Sequence, residues 1–104
     1  MPEGVGREAE IMREAIAILV RECAPARIYL FGSRAKKTAK KGADFDFAVE
    51  GPVPSDARRR IVKDLLESVA GLYSVNLVFL SEVDEKFRSI ILESGALVYE
   101  QKGN

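Results

Sequence analysis

Two apolar stretches joined by a basic loop constrain this chain more than anything else in it. They are Ile28-Tyr29-Leu30-Phe31 and Asp44-Phe45-Asp46-Phe47-Ala48-Val49. The first stops at Gly32-Ser33, a boundary at which a strand passes into a tight turn. The second alternates acidic and apolar residues. Side chains two apart on a strand share a face, with Cα atoms about 7 Å apart. Asp44 and Asp46 therefore project together, and Phe45, Phe47 and Val49 project to the other side. Two carboxylates on one face of so apolar a strand are costly unless something positive sits between them. An oxygen-seeking divalent cation such as Mg²⁺ meets that need, and Mg²⁺ usually comes with phosphates attached. Gly32 lets backbone approach an anion closely, and Ser33 offers it a hydroxyl and an N–H. The stretch predicts a phosphate loop facing a metal-binding strand.

The rest of the chain supplies elements to pack around that pair. From Arg7 to Cys23, the residues Ile11, Ala15, Ile18 and Leu19 recur at helical spacing, and Pro25 ends the helix. Residues 1–6 are expected to be a frayed tail. Strands are predicted at Arg27–Phe31 and Asp44–Glu50, the second closed by Gly51-Pro52. Between them, 34–42 has the composition for a short helical turn. Ser55 is placed to cap a second helix over Asp56–Ala70, with Ile61, Leu65, Leu66 and Val69 on its buried side and Gly71 at its C-terminus. A third strand is predicted at Ser74–Leu80 and a third helix, carried by Phe87, Ile90 and Ile91, ends at Gly95. Ala96–Tyr99 is expected as an edge strand. Tyr29, Tyr73 and Tyr99 read as core or edge residues. The economical fold is α/β (α+β): a single domain with a small mixed sheet and helices packed on it. Pattern alone does not choose the strand order.

Composition narrows the chemistry. The chain has 104 residues, no histidine, one cysteine and a formal net charge of zero. Without histidine, the usual general base and the usual zinc ligand are both missing, so catalysis would have to run on carboxylates, metal and positioning. Cys23 alone can form no internal disulfide, which suits a reducing cytoplasm. No apolar run approaches the roughly 20 residues of a membrane helix. Neutrality argues against a nucleic-acid coat. Two basic clusters, Arg34 to Lys41 and Arg58 to Lys63, would attract phosphates only if both flank the cleft. No Gly-x-x-x-x-Gly-Lys-Ser/Thr loop occurs.

Gly32-Ser33, ten residues, then Asp44-x-Asp46, carried by the blocks Gly32-Ser33-Arg34-Ala35 and Asp44-Phe45-Asp46-Phe47, resembles the signature of the DNA polymerase β-like nucleotidyltransferase superfamily. The short length resembles its minimal nucleotidyltransferase members, found in HEPN/MNT toxin–antitoxin pairs. That resemblance implies a polymerase β-like palm, with Asp44 and Asp46 as catalytic metal ligands in a two-metal Mg²⁺ site. It also implies Gly32, Ser33 and Arg34 as the nucleotide- and phosphate-binding turn, Arg34 neutralising the triphosphate. There are departures. Lys37 and Ala43 stand where relatives commonly carry glycine and serine. The family's third carboxylate sits in a Val-Asp-Leu-Val-like motif, and here the chain reads Val75-Asn76-Leu77-Val78. Asn76 can offer a carbonyl oxygen but neither charge nor a base. Glu50, four residues beyond Asp46 on the same face, lies about 13 Å away and cannot replace it; Glu82 is the remaining substitute.

Two functions follow. One is a Mg²⁺-dependent nucleotidyltransferase moving AMP from ATP to a hydroxyl of a helical HEPN-type toxin or of a small molecule, as an antitoxin-like subunit. The other is a catalytically impaired binding module of the same fold that neutralises or completes its partner by contact. A homo-oligomer is compatible with either; a nucleic-acid accessory role through the basic loop is a third and weaker reading.

Overall fold

The computed structural model describes residues 3–35 and 44–102. Helix α1 (Glu3–Cys23) precedes strands β1 (Arg27–Phe31) and β2 (Phe45–Glu50). Helix α2 (Asp56–Ala70), strand β3 (Val75–Phe79), helix α3 (Glu85–Ser94) and strand β4 (Ala96–Glu100) follow. The four strands form one mixed sheet in the order β3-β2-β1-β4. β1 lies antiparallel to both β2 and β4, and β2 and β3 run parallel with α2 as their crossover. The strand carrying the acidic alternation is therefore an inner strand.

Local chemistry explains the boundaries. Pro25 ends α1, and Ala24 turns the chain at φ 47°. The Ser55 side chain accepts from the Arg58 N–H at 3.2 Å, and Gly71 closes α2 by donating to the Glu67 carbonyl. The Asp84 carboxylate accepts from the Phe87 N–H at 2.7 Å to start α3. Helix α1 begins at Glu3, so residues 3–6 of the tail expected over 1–6 are helical, and residues 1 and 2 lie outside the described residues. A helix already nucleated adds one backbone bond per residue, which outweighs the weak propensity of Gly4 and Gly6. The chain turns through 32–35; the short turn expected up to 42, with Lys36, Lys37, Lys40, Lys41 and Ala43, lies outside the described residues.

The alternation of β1 and β2 divides the core in two. Ile28, Leu30, Phe45, Phe47 and Val49 face α1 and α2, where they meet Ile11, Ala15, Leu19, Val62 and Leu66. On the other face Ala48, Leu80 and Ile91 are buried, with Tyr29, Phe31, Val78 and Phe87 packed around them under α3. α2 presents Val62, Leu66 and Ala70 inward, and Ile61, expected inside, is 49% exposed. Its apolar stripe is wider than the sheet can cover, and the i, i+4 ridge through Val62 and Leu66 takes the centre. Ile90, one position from the buried Ile91, is likewise exposed.

Candidate active site

The carboxylates fall on the α3 face of the sheet, where Phe87 of α3 packs against Phe31 of β1. Asp46 is the second residue of β2 and half-buried; Asp44 immediately precedes the strand and is exposed. Register puts Asp46 opposite Phe31 on β1 and opposite Asn76 on β3. The Asn76 amide Nδ2 donates to Asp46 Oδ1 at 2.9 Å and lies 3.4 Å from Asp44 Oδ2. One amide group thus spans both acids.

Gly32 follows β1 directly, at φ +77°. A Cβ at this position would stand 2.5 Å from Asp46 Oδ2 and 3.4 Å from its carboxyl carbon. The left-handed backbone disfavours a side chain, and a Cβ here would push the Asp46 carboxylate aside. The predicted turn and the predicted acids are thus brought together: Gly32 touches Asp46, and Ser33 is the next residue in the turn. This juxtaposition follows from the antiparallel pairing of Phe31 with Asp46.

Arg34 lies elsewhere. Its guanidinium sits 3.9 Å from the centroid of the Phe45 ring and 3.2 Å from Glu8 Oε2. Phe45 points to the α1 and α2 face, away from the carboxylates, and the Arg34 side chain is only 11% exposed. Tyr73 completes the group, donating its hydroxyl to Glu8 Oε1 at 3.2 Å and packing edge-on against Phe45. Burial, and then the bond to Glu8, raise the Tyr73 phenol above its ordinary range. Glu8 carries no signal of this role in the sequence, being one of several acids on an amphipathic helix. The third-carboxylate substitutes go to other duties: Glu50 pairs with Arg27, and Glu82 with Arg59.

The donor set fits a cation that arrives with its own ligands. Among the described residues no group of three or more acidic, histidine or cysteine side chains converges on one point. Two carboxylates beside a glycine turn are compatible with the way Mg²⁺ is usually held, by one or two carboxylates plus substrate phosphates.

Residues 13–104 match the family described as polymerase beta, nucleotidyltransferase. The chain belongs to that family. Solved nucleotidyltransferase-fold structures agree. One is a toxin–antitoxin with AMP-PNP, 25% identical, with a TM-score of 0.68 over 85% of this chain and 73% of that one. Another is a tri-AMPylated Shewanella oneidensis HEPN toxin in complex with MNT antitoxin, 21% identical, TM-score 0.69, covering 91% and 73%. A mutant MntA–HpeT toxin–antitoxin gives TM-score 0.71 at 20% identity, covering 86% and 73%. A comparison with curated proteins found no match. No described helix is long and apolar enough to cross a membrane.

Proposed function

We propose that this domain is a Mg²⁺-dependent nucleotidyltransferase that moves AMP from ATP to a hydroxyl of a helical, HEPN-like protein partner, as the antitoxin-like subunit of a cytoplasmic pair. The observation that carries the reading is Gly32 packed against the Asp46 carboxylate, with Asp44 beside it, in a chain of the polymerase β nucleotidyltransferase family. The AMP-PNP and tri-AMPylated neighbours support the nucleotide and the acceptor class.

Asp44 and Asp46 would hold Mg²⁺, which when bound neutralises the triphosphate and polarises the reacting phosphoryl group. Ser33 offers its hydroxyl and N–H to the phosphates, and Gly32 leaves them room. Arg34, anchored by Glu8 and Phe45, holds the turn in place from the opposite face. The acceptor oxygen attacks the α-phosphorus, the bond to the β-phosphate breaks, and pyrophosphate leaves. The hydroxyl proton passes to a carboxylate or to water. Catalysis here is chiefly positioning and electrostatics.

Asn76 favours a second reading, a contact module without turnover, because its amide fills the place of a third carboxylate. Incubation with α-labelled ATP, Mg²⁺ and the partner decides between them. Label on the partner that is lost in Asp44→Ala/Asp46→Ala supports transfer. Neutralisation without label, unchanged in that variant, supports the contact module.

A further inference from the structure

The two edges of the sheet are finished differently. β4 carries Glu100, held by Arg27 at 2.8 Å, and its pairing with β1 is broken by an irregularity between Ile28 and Tyr29. Charges and bulges of this kind keep an edge from recruiting foreign strands. β3, at the other edge, reads Val-Asn-Leu-Val-Phe, with no charge, no proline and regular pairing to β2 along its length. Among the described residues nothing pairs with its outer side.

Beside that bare edge runs a groove of about 480 Å³. Its floor is Leu66, Val75, Leu77 and Phe79, its wall on α2 is Arg59, Arg60 and Lys63, and Asn76, which bonds Asp46, also borders it. Arg59 is committed to Glu82 and stacks over Phe79 at 5.0 Å. Arg60 and Lys63 are exposed, and among the described residues no carboxylate pairs with either. Val75 and Leu77 pack on the core with one side and line the groove with the other.

We infer that the outer edge of β3 docks an extended, acidic segment of a partner protein, added to the sheet as a fifth strand. Main-chain bonds to β3 would supply affinity and alternate side chains the specificity. Every second side chain of such a segment lies over Val75 and Leu77, where a glutamate rests its methylenes on the floor and its carboxylate on Arg60 or Lys63. The side chains between them stand beside Asn76 and Val78. A second copy of this chain fits poorly. Two-fold pairing of β3 with β3 brings Arg60 and Lys63 of both copies to one seam, and pairing of β3 with β4 is head-to-tail and does not close. RNA also fits poorly, because the floor offers no exposed aromatic ring for bases to stack on. The inference is independent of AMP transfer and holds for a contact module as well.

The test uses the whole chain and a fluorescein-labelled acetyl-Val-Glu-Val-Glu-Val amide, read by anisotropy at physiological salt. The expected result is saturable binding, weakened about tenfold or more in Arg60→Glu/Lys63→Glu. Both positions are solvent-exposed, and circular dichroism is the check that the variant folds. Binding should also be lost when alternate peptide amides are N-methylated, and amide exchange in β3 should slow on binding. No saturable binding overturns the inference. So does equal binding of a Val-Lys-Val-Lys-Val probe, an unchanged affinity in the double variant, or tighter binding of an oligouridylate through the same two residues.

Discussion

Asn76 donates its side-chain amide to Asp46 across the parallel β2–β3 pair, and the same nitrogen reaches toward Asp44. Two like charges are thereby held together by a neutral group contributing a fraction of positive charge, where a third carboxylate would have supplied a full negative one. The chain trades a third negative charge for one neutral donor beside its acid pair.

That trade gives the first expectation. Asn76→Asp replaces the donor with a third acid, so the metal-free protein should lose about 1 kcal/mol, several degrees in Tm. Mg²⁺ with ATP should raise its Tm more than it raises that of the native chain, because cation binding now relieves the repulsion. Thermal melts in chelator and in Mg²⁺–ATP measure both. Equal ligand-induced shifts in the two proteins would remove Asn76 from the cation site.

Gly32→Ala should be costly in two ways. The φ of +77° disfavours any Cβ, and the new methyl meets Asp46 Oδ2 at 2.5 Å. A stability loss of about 1–3 kcal/mol in urea titration is expected from the backbone strain alone. Titration with Mg²⁺–ATP should show binding lost, since the methyl displaces the carboxylate. Nearly native ATP affinity would mean that the turn does not approach the phosphates.

Much of this site was legible in the sequence, and physical reasons separate what was from what was not. Period-two alternation over 44–49 is unambiguous, so the shared face of Asp44 and Asp46 and the opposed face of Phe45 and Phe47 could be read directly. Gly-Ser after an apolar run marked the turn. Its contact with Asp46 depends on the register of β1 against β2, which no local pattern encodes. Arg34 shows the limit most clearly. Its neighbours in sequence suggest phosphate, whereas its neighbours in space, Glu8 and Tyr73, come from α1 and the approach to β3. Long-range partners of this kind leave no mark on either segment. Ile61 was misplaced for a smaller reason: five apolar positions on one helix face leave its rotation undetermined by nearly one residue.

The anchoring of Arg34 can be separated from phosphate binding. Arg34→Lys keeps the charge but loses the planar stack on Phe45 and the directed bond to Glu8. Glu8→Gln keeps the size and removes the ion pair. If the guanidinium serves as an anchor, both variants should lower stability, by about 1–3 kcal/mol each, and the double variant should fall well short of their sum. Chemical denaturation of the four proteins closes that cycle. Additive losses, with ATP affinity falling in Arg34→Lys but not in Glu8→Gln, would return Arg34 to the triphosphate.

Glu22 joins the end of α1 to the start of α2, accepting from Arg58 Nη1 at 2.7 Å and from Arg21 Nε at 2.9 Å. The bond from Arg21, then that from Arg58, holds its carboxyl below the ordinary value of 4.5, against a smaller opposing effect of burial. A group whose pKa is lower folded than unfolded contributes stability that is complete above the unfolded value and disappears as pH falls through the folded one. The Tm advantage of the native chain over Glu22→Gln should therefore be constant from pH 7 to about 5, shrink below about 4.5, and vanish at lower pH still. Melts of both proteins across that range, with Arg58→Gln as a third, provide the check. In Arg58→Gln the same Glu22→Gln change should matter less, because only the neighbouring Arg21 remains. An advantage that persists undiminished to pH 3 would mean that the Glu22 side chain acts through packing alone.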